Sequence, residues 1–187
     1  MAKAFVHETA IVEDGVSLGD DTRVWHHCHL RHGAVIGARC NLGKNVFIDA
    51  GVRVGSRVKV QNNVSVYAGV TLLDDVFVGP SAVFTNDLFP RAYNQGWQVV
   101  ATVVGRGASI GANATVVCGR DIGPFAMVGA GSVVTRAVAA HALVVGNPAR
   151  QIGWVCKCGQ IMARGSDAPS HALTCAACGD SWWAGDE

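Results

Sequence analysis

Charge is scarce in this chain. Of 187 residues 16% are charged, and 15 basic groups stand against 14 acidic ones, a formal net charge of +1. So even a balance creates no field to recruit nucleic acid or an anionic membrane. Long apolar runs are missing as well. No stretch approaches the roughly 20 residues of a helical membrane span, and Met1 to Ala10 lacks the apolar core of a secretory leader, so a cytoplasmic protein is expected. The length leaves room for one main domain and a small appendage. What is abundant is valine (29) and glycine (23), within a composition that is 50% hydrophobic. That mixture excludes disorder and favours extended strands and tight turns over helices. Of seven cysteines, Cys28, Cys40 and Cys118 are isolated among aliphatics, whereas Cys156, Cys158, Cys175 and Cys178 form two tight pairs. An odd number, unevenly placed, argues against a secreted disulfide scaffold.

A repeat organises the chain. Steps of six from Val6 give Val12, Leu18, Val24, Leu30, Ile36, Leu42, Ile48, Val54, Val60, Val66, Leu72, Val78 and Phe84 without a miss. Four places after each lies a mostly small or β-branched residue, such as Ala10, Thr22, Cys28 or Val46. The register breaks over Thr85 to Val103 and resumes at Val104, Ile110, Val116, Ile122, Val128 and Val134. A period of six fits neither a helix nor a hairpin meander, but it fits a triangular solenoid whose sides are short strands and whose corners are turns. Three hexads make a coil of about 18 residues, so the repeats give nearly seven coils stacked about 4.8 Å apart. Nine of the residues that follow the apolar position are glycine, among them Gly37, Gly79 and Gly105. They are expected to supply the corner dihedrals that a side chain would penalise.

Residues 18 apart then share a column. Asn86 stacks on Ala68, Ala50 and His32, which leaves an open trough beneath it, and Tyr67 lies between Asp49 and Thr85. Trp25, Gln61 and Tyr67 are bulky exceptions at corners where glycine is common, suited to contacts outside the coil with a ligand or a neighbouring subunit. The segment TNDLFPRAYNQGWQVV leaves the scaffold as an external loop over residues 85–103, where binding groups are usually carried.

These motifs carry a family resemblance. The alternation [LIV]-G-x-x-[small]-x resembles the hexapeptide-repeat proteins, and with it comes a left-handed parallel β-helix for residues 1–153. The run Lys59 to Ala92, with VWHHCH before it and GANATVVCG, VGAGSVVT and VVGNPARQIGW after it, is similar to the 3-N-acetyltransferases of nucleotide-linked amino sugars, including those acting on UDP-2-acetamido-3-amino-2,3-dideoxyglucuronate and on dTDP-3-amino-6-deoxyhexoses. The resemblance implies a homotrimer with sites between neighbouring prisms, acetyl-CoA as donor and a nucleotide-linked 3-amino sugar as acceptor. It places Asn86 where many relatives carry a histidine base, holding the amine rather than taking its proton. An amino-sugar amine with a pKa near neutrality arrives unprotonated, so positioning supplies much of the acceleration. Asp87 either helps with the proton or caps the loop. The resemblance also assigns Ala112 and Ala130 to the pantetheine arm, and Thr135, Arg136 and Arg150 to the neighbourhood of the nucleotide phosphates. Ala112 and Ala130 being 18 apart, on one line, agrees with this. His26 and His29 match a WHxxH pattern near the acceptor, or else are interface histidines. Gln61 and Asn62 suit sugar hydroxyls, although asparagine ladders also brace corners. Arg91 is a candidate partner for a sugar carboxylate or phosphate.

Two other classes stay open. Four histidines crowd Trp25 to His32, and some hexapeptide-repeat trimers are zinc hydratases of the γ-carbonic-anhydrase type; consecutive His26 and His27, however, point in opposing directions. A noncatalytic trimeric scaffold would bind no CoA. The prism is expected to end at GNPAR, where a proline stops further pairing. After it, residues 154–187 carry CKCG and CAACG, 16 residues apart. Cys156, Cys158, Cys175 and Cys178 so spaced read as a zinc ribbon, an all-β appendage that about 30 residues could hardly fold without metal. Its roles range from bracing the end of the trimer to recruiting a partner through Trp182 and Trp183.

Overall fold

A computed structural model describes residues 3–182; Trp183 lies outside them. Two-residue strands wind into a parallel β-helix of three walls. The first wall stacks Phe5–Val6, Arg23–Val24, Asn41–Leu42, Lys59–Val60, Phe77–Val78, Ser109–Ile110 and Met127–Val128, and these strands mark the starts of coils one to seven. The second wall runs from Ile11–Val12 to Val133–Val134, and the third from Ser17–Leu18 to Thr102–Val104. Partners are 18 apart, as in Phe5↔Arg23, Arg23↔Asn41 and Asn41↔Lys59. Phe77 instead pairs with Ser109, so the external loop inserts fourteen residues without disturbing the ladder. Beyond Val104, isolated bridges to Ile122 and Val138 continue the third wall.

The residues counted by six point inward. From Val24 to Val134 all are essentially inaccessible, and the small residues four places later fill the space between them. The polar inward residues are satisfied. Thr22 Oγ1 donates to Gly37 O at 2.7 Å and accepts from Cys40 N at 3.0 Å. Cys28 and Cys40 each donate to a carbonyl of the next coil, Gly43 O and Gly55 O, at 3.0 Å, and burial pushes both thiols up from their ordinary value. They serve as packing, not as nucleophiles.

The corners correct the expected role of glycine. None of the nine glycines that follow the apolar positions has a left-handed φ; that conformation recurs three places after each apolar residue, from Gly15 and Asp21 through Ser81. There it is borne by asparagine, aspartate, and even His27, Arg39 and Arg57 as well as by glycine. The strain is offset because the turn aims that residue's N–H at the coil beneath, as in Arg39 N to Asp20 O, Arg57 N to Ala38 O and Asn63 N to Lys44 O, at 2.8–2.9 Å. The other glycines are required by close approach. A methyl on Gly79 would stand 2.6 Å from Ala112 N, and one on Gly105 2.6 Å from Pro124 N.

The prism's end is also a correction. Pairing does not stop at Pro148: the chain reverses through a turn with a cis Asn147–Pro148 bond, and Arg150–Val155 runs antiparallel to Ala142–Val145, followed by Ile161–Arg164. The first wall therefore extends into the tail, and Arg150–Val155 leads straight to Cys156. Trp182 folds back over the last coil. Its ring stacks on buried His141 (centroids 4.4 Å apart) and on Trp154 (5.2 Å), while His141 Nδ1 lies 2.7 Å from Val155 O.

Candidate active site

Consider first the corner between the second and third walls. Its columns are Glu13, Arg31, Asp49, Tyr67, Thr85 and, beside them, His32, Ala50, Ala68, Asn86. Asn86 is half-buried in coil five at the mouth of the external loop, which it closes by accepting Val100 N–H at 3.0 Å. Its Nδ2 donates to Ala68 O at 3.4 Å. Below, Asp49 receives Ala50 N (2.8 Å), Ala68 N (3.1 Å) and Arg31 Nη1 (3.0 Å). Burial alone would raise this carboxyl; the two amides and the guanidinium outweigh it and hold Asp49 below its usual value. Glu13 is likewise held down, by His32 N–H and by His29 Nε2 at 2.7 Å. His29 is thus tied to Glu13 and edges onto Phe47, whose ring in turn meets Tyr67 at 5.8 Å. Asp87 Oδ1 accepts Phe89 N–H at 2.8 Å, the geometry of a loop cap, and it lines a loop cavity with Phe89 and Trp97. Arg91 is exposed on the loop, its guanidinium donating to Pro90 O.

The corner between the first and second walls holds the remaining acceptor candidates. Trp25, His26, Gln61 and Asn62 line one cleft of about 250 Å³, together with Asn41 and Lys44. Trp25 Nε1 donates to Asn41 Oδ1 at 2.8 Å. Desolvation, then His7, His27 and Lys44, push His26 below its ordinary value, so its ring, stacked on His7 at 3.5 Å, is neutral at neutral pH. Asn62 does brace its corner, its Oδ1 accepting the Lys44 backbone N–H at 2.9 Å, and Asn63 Oδ1 accepts from the side-chain Nδ2 of Asn45 at 3.0 Å. Higher on the same corner lie Ala112 and Ala130, joined by Gly131 N to Ala112 O at 2.8 Å. Thr135, Arg136 and Arg150 line a single cleft of about 180 Å³ at the end of the second wall. One chain therefore does not gather all the candidates. Asn86, Tyr67, Thr135 and Arg136 fall on one edge of the second wall; His26, Gln61, Asn62, Ala112 and Ala130 fall on the other. Arg23, Arg39, Asn41, Lys44 and Lys59 were not singled out from the sequence although they line clefts; for Arg23, Asn41 and Lys59 the signal available was the 18-residue column on the first wall.

The four tail cysteines converge. Their sulfurs all lie within 4.8 Å of one another, with Cys156–Cys178 at 3.5 Å and Cys158–Cys175 at 3.6 Å. Such spacings are too long for disulfides and close to the edges of a tetrahedron of sulfurs about 2.3 Å from a central ion. Each knuckle closes with a glycine in the left-handed region, Gly159 and Gly179. Backbone N–H groups of Cys178 and Ala177 pull Cys175 down from the ordinary thiol value, while its neighbours Cys156 and Cys178 are pushed up. Among the described residues no other set of three or more histidine, cysteine or acidic side chains is close enough to share an ion. Nor is any helix long and apolar enough to cross a membrane.

Comparisons with known proteins agree with this fold. The model for the hexapeptide repeat of succinyl-transferase matches residues 33–68 and 101–136, and that for the bacterial transferase hexapeptide (six repeats) matches residues 15–50. The dTDP-3-amino-3,6-dideoxy-alpha-D-galactopyranose 3-N-acetyltransferase of Aneurinibacillus thermoaerophilus is 47% identical over 154 residues, 82% of this chain and 80% of its own. Among solved structures, PerB from Caulobacter crescentus, in complex with CoA and GDP-perosamine, is 22% identical with a TM-score of 0.52, over 81% of this chain and 58% of its own. AntD, an N-acyltransferase from Bacillus cereus in complex with dTDP and 3-hydroxybutyryl-CoA, is 17% identical with a TM-score of 0.55, over 81% of this chain and 80% of its own. At those identities the two structures show a shared fold, whereas the Aneurinibacillus enzyme, matched across most of both chains, shows more: this chain belongs to the hexapeptide-repeat nucleotide-sugar 3-N-acetyltransferases, whose scaffold is the left-handed parallel β-helix.

Proposed function

We propose that this protein transfers the acetyl group of acetyl-CoA to the 3-amino group of a nucleotide-linked amino sugar, dTDP-linked in preference to UDP-linked, and that it works as a homotrimer in the cytoplasm. The observation that carries this reading is the order of groups along the stack. Ala112 and Ala130 occupy coils six and seven, Asn86 coil five, and the cleft of Trp25, His26, Gln61 and Asn62 coils two to four. A donor lying along the upper coils and an acceptor in the lower ones meet at the level of Asn86.

The second wall supports the trimer. Its outward positions are Ile11, His29, Phe47, Ser65, Val83, Thr115 and Val133, with no lysine, arginine or carboxylate, while Ile11 and Val83 are 59% and 45% exposed. The other walls carry charges at these positions, Arg23 and Lys59 on one and Arg53 on the other. Three chains turning their second walls inward bury the charge-free face and bring the Asn86 edge of each against the His26–Ala130 edge of the next.

The chemistry then needs few groups. The neutral amine donates an N–H to Asn86 Oδ1, which aims its lone pair at the thioester carbon. Attack forms a tetrahedral oxyanion, the C–S bond breaks, and the CoA thiolate takes up the proton that the amine loses. Asn86 orients, and Asp87 shapes the loop. The tail cysteines bind one zinc ion as a structural site, and a zinc assay is expected to find one ion per chain. A thiol-release assay across nucleotide-linked 3-amino and 4-amino sugars tests the whole reading. Release with a 3-amino acceptor supports it; no release above background with any acceptor contradicts it.

A further inference from the structure

The cleft at Trp25 and His26 continues into a larger one, about 520 Å³, on the outer face of the first wall, with Asn41 and Gln61 shared between them. The register makes this second cleft a ladder. Arg23, Asn41 and Lys59 pair in sequence on successive coils, and Arg39 lines the same cleft. Asp21 is the one carboxylate in the lining. Four cations elsewhere have carboxylate partners, whereas among the described residues Lys3, Arg53, Arg91, Arg120, Arg136, Arg150 and Arg164 have none. Arg31 pairs with Asp49, Arg57 with Asp74 and Asp75, Arg106 with Asp75 and Lys157 with Asp180. Among the described residues no salt bridge engages Arg23, Arg39, Lys44 or Lys59. In a chain of net charge +1, like charges set one or two rungs apart without counter-ions repel each other and weaken the wall that carries them. An anionic ligand removes that conflict.

We propose that Arg23, Asn41 and Lys59, with Arg39 beside them, hold the diphosphate of the nucleotide-linked acceptor, while the sugar extends through the Trp25–Gln61 cleft toward the subunit edge. This inference rests on the proposed acceptor class. CoA also carries a diphosphate, but the ladder lies in coils two to four, and in the donor's coils six and seven the outward first-wall positions are Ser109 and Met127, neither of them a cation. Arginine forks and a lysine ammonium bridged by an amide suit adjacent phosphate groups, and the lack of ion pairs leaves their donors available without a competing carboxylate.

Isothermal titration of the full chain with dTDP, UDP, dTMP and CoA, repeated on Arg23→Ala and Lys59→Ala, tests this. Each substitution is expected to weaken dTDP or UDP binding by about tenfold, to weaken dTMP less, and to leave the CoA Kd within about twofold. The thermal midpoint should not fall, because both side chains are exposed and without ion pairs. Failure of the wild-type chain to bind either nucleoside diphosphate, or unchanged Kd values in both variants, overturns the proposal; so does an equal loss of CoA affinity, which would assign the ladder to the donor. Steady-state kinetics separates the two readings. Acetyl transfer with an unaltered acceptor KM in both variants sinks the ladder and spares the enzyme. Diphosphate binding that both variants lose, in a protein that acetylates no amino sugar, sinks the enzyme and spares the ladder.

Discussion

The role proposed for Asn86 rests on two bonds: its carbonyl ties the loop at Val100, and its Nδ2 rests on Ala68 O. Replacing it with alanine removes the orienting acceptor and leaves the donor line intact. Asn86→Ala should therefore lower kcat/KM by about tenfold or more with a CoA Kd within about twofold of wild type, measured by thiol release and titration calorimetry. Asp49 carries a second residue-scale prediction. Its folded pKa is depressed, so its contribution to stability is complete above the unfolded value near 4 and disappears as pH falls through the folded value. Thermal midpoints recorded from about pH 6 to pH 3 should fall steeply for wild type and more gently for Asp49→Asn, which starts lower. The stacking of these candidate residues was legible in the sequence. Asn86 above Ala68 and Tyr67 above Asp49 followed from steps of 18. The carboxylate network of Glu13 with His29, Arg31 and His32 did not, because side-chain reach across coils is not encoded in periodicity. Asp87 could be read two ways from sequence, and its bond to Phe89 N–H supplies the loop-capping geometry.

At the scale of the element, the hexad determines both the inward ladder and the position of the corners, but it misdirects the reading of glycine. A glycine at a fixed place in a turn invites a dihedral explanation, whereas close backbone stacking between coils was invisible until the coils were placed. The two kinds of glycine separate experimentally. Gly51 has φ +68° and nothing within 4 Å of an added methyl, so Gly51→Ala should cost about 1 kcal/mol. Gly79→Ala must push the Ala112 backbone away and should cost more than about 2 kcal/mol, read from denaturant unfolding. An equal cost at both positions would contradict the stacking account. The tail shows the same division. The CKCG and CAACG knuckles announced a four-sulfur site, while the antiparallel strands that graft it onto the first wall had no signal beyond Gly146–Pro148, which was read as a stop. Proline at a turn ends one direction of pairing without preventing a reversed one.

For the whole molecule the governing fact is that the candidate groups lie on two edges of a wall that carries no lysine, arginine or carboxylate at its outward positions. No single prism can bring those edges together, whereas the proposed ring of three would do so at every junction. The sequence predicted the prism and its columns, yet which wall faces the partner became readable only when outward residues could be sorted wall by wall. Subunit mixing tests the shared site directly. Asn86→Ala disables one edge, and Ala130→Trp, at an exposed position, fills the donor line on the other. Each variant alone, checked as a trimer by sedimentation, should keep no more than about a tenth of wild-type activity. Refolded or co-expressed in equal amounts, random assortment leaves about a quarter of the sites with both edges intact, and thiol release should recover to about that fraction of wild type. Mixed trimers as inactive as their parents would contradict a site built from two chains.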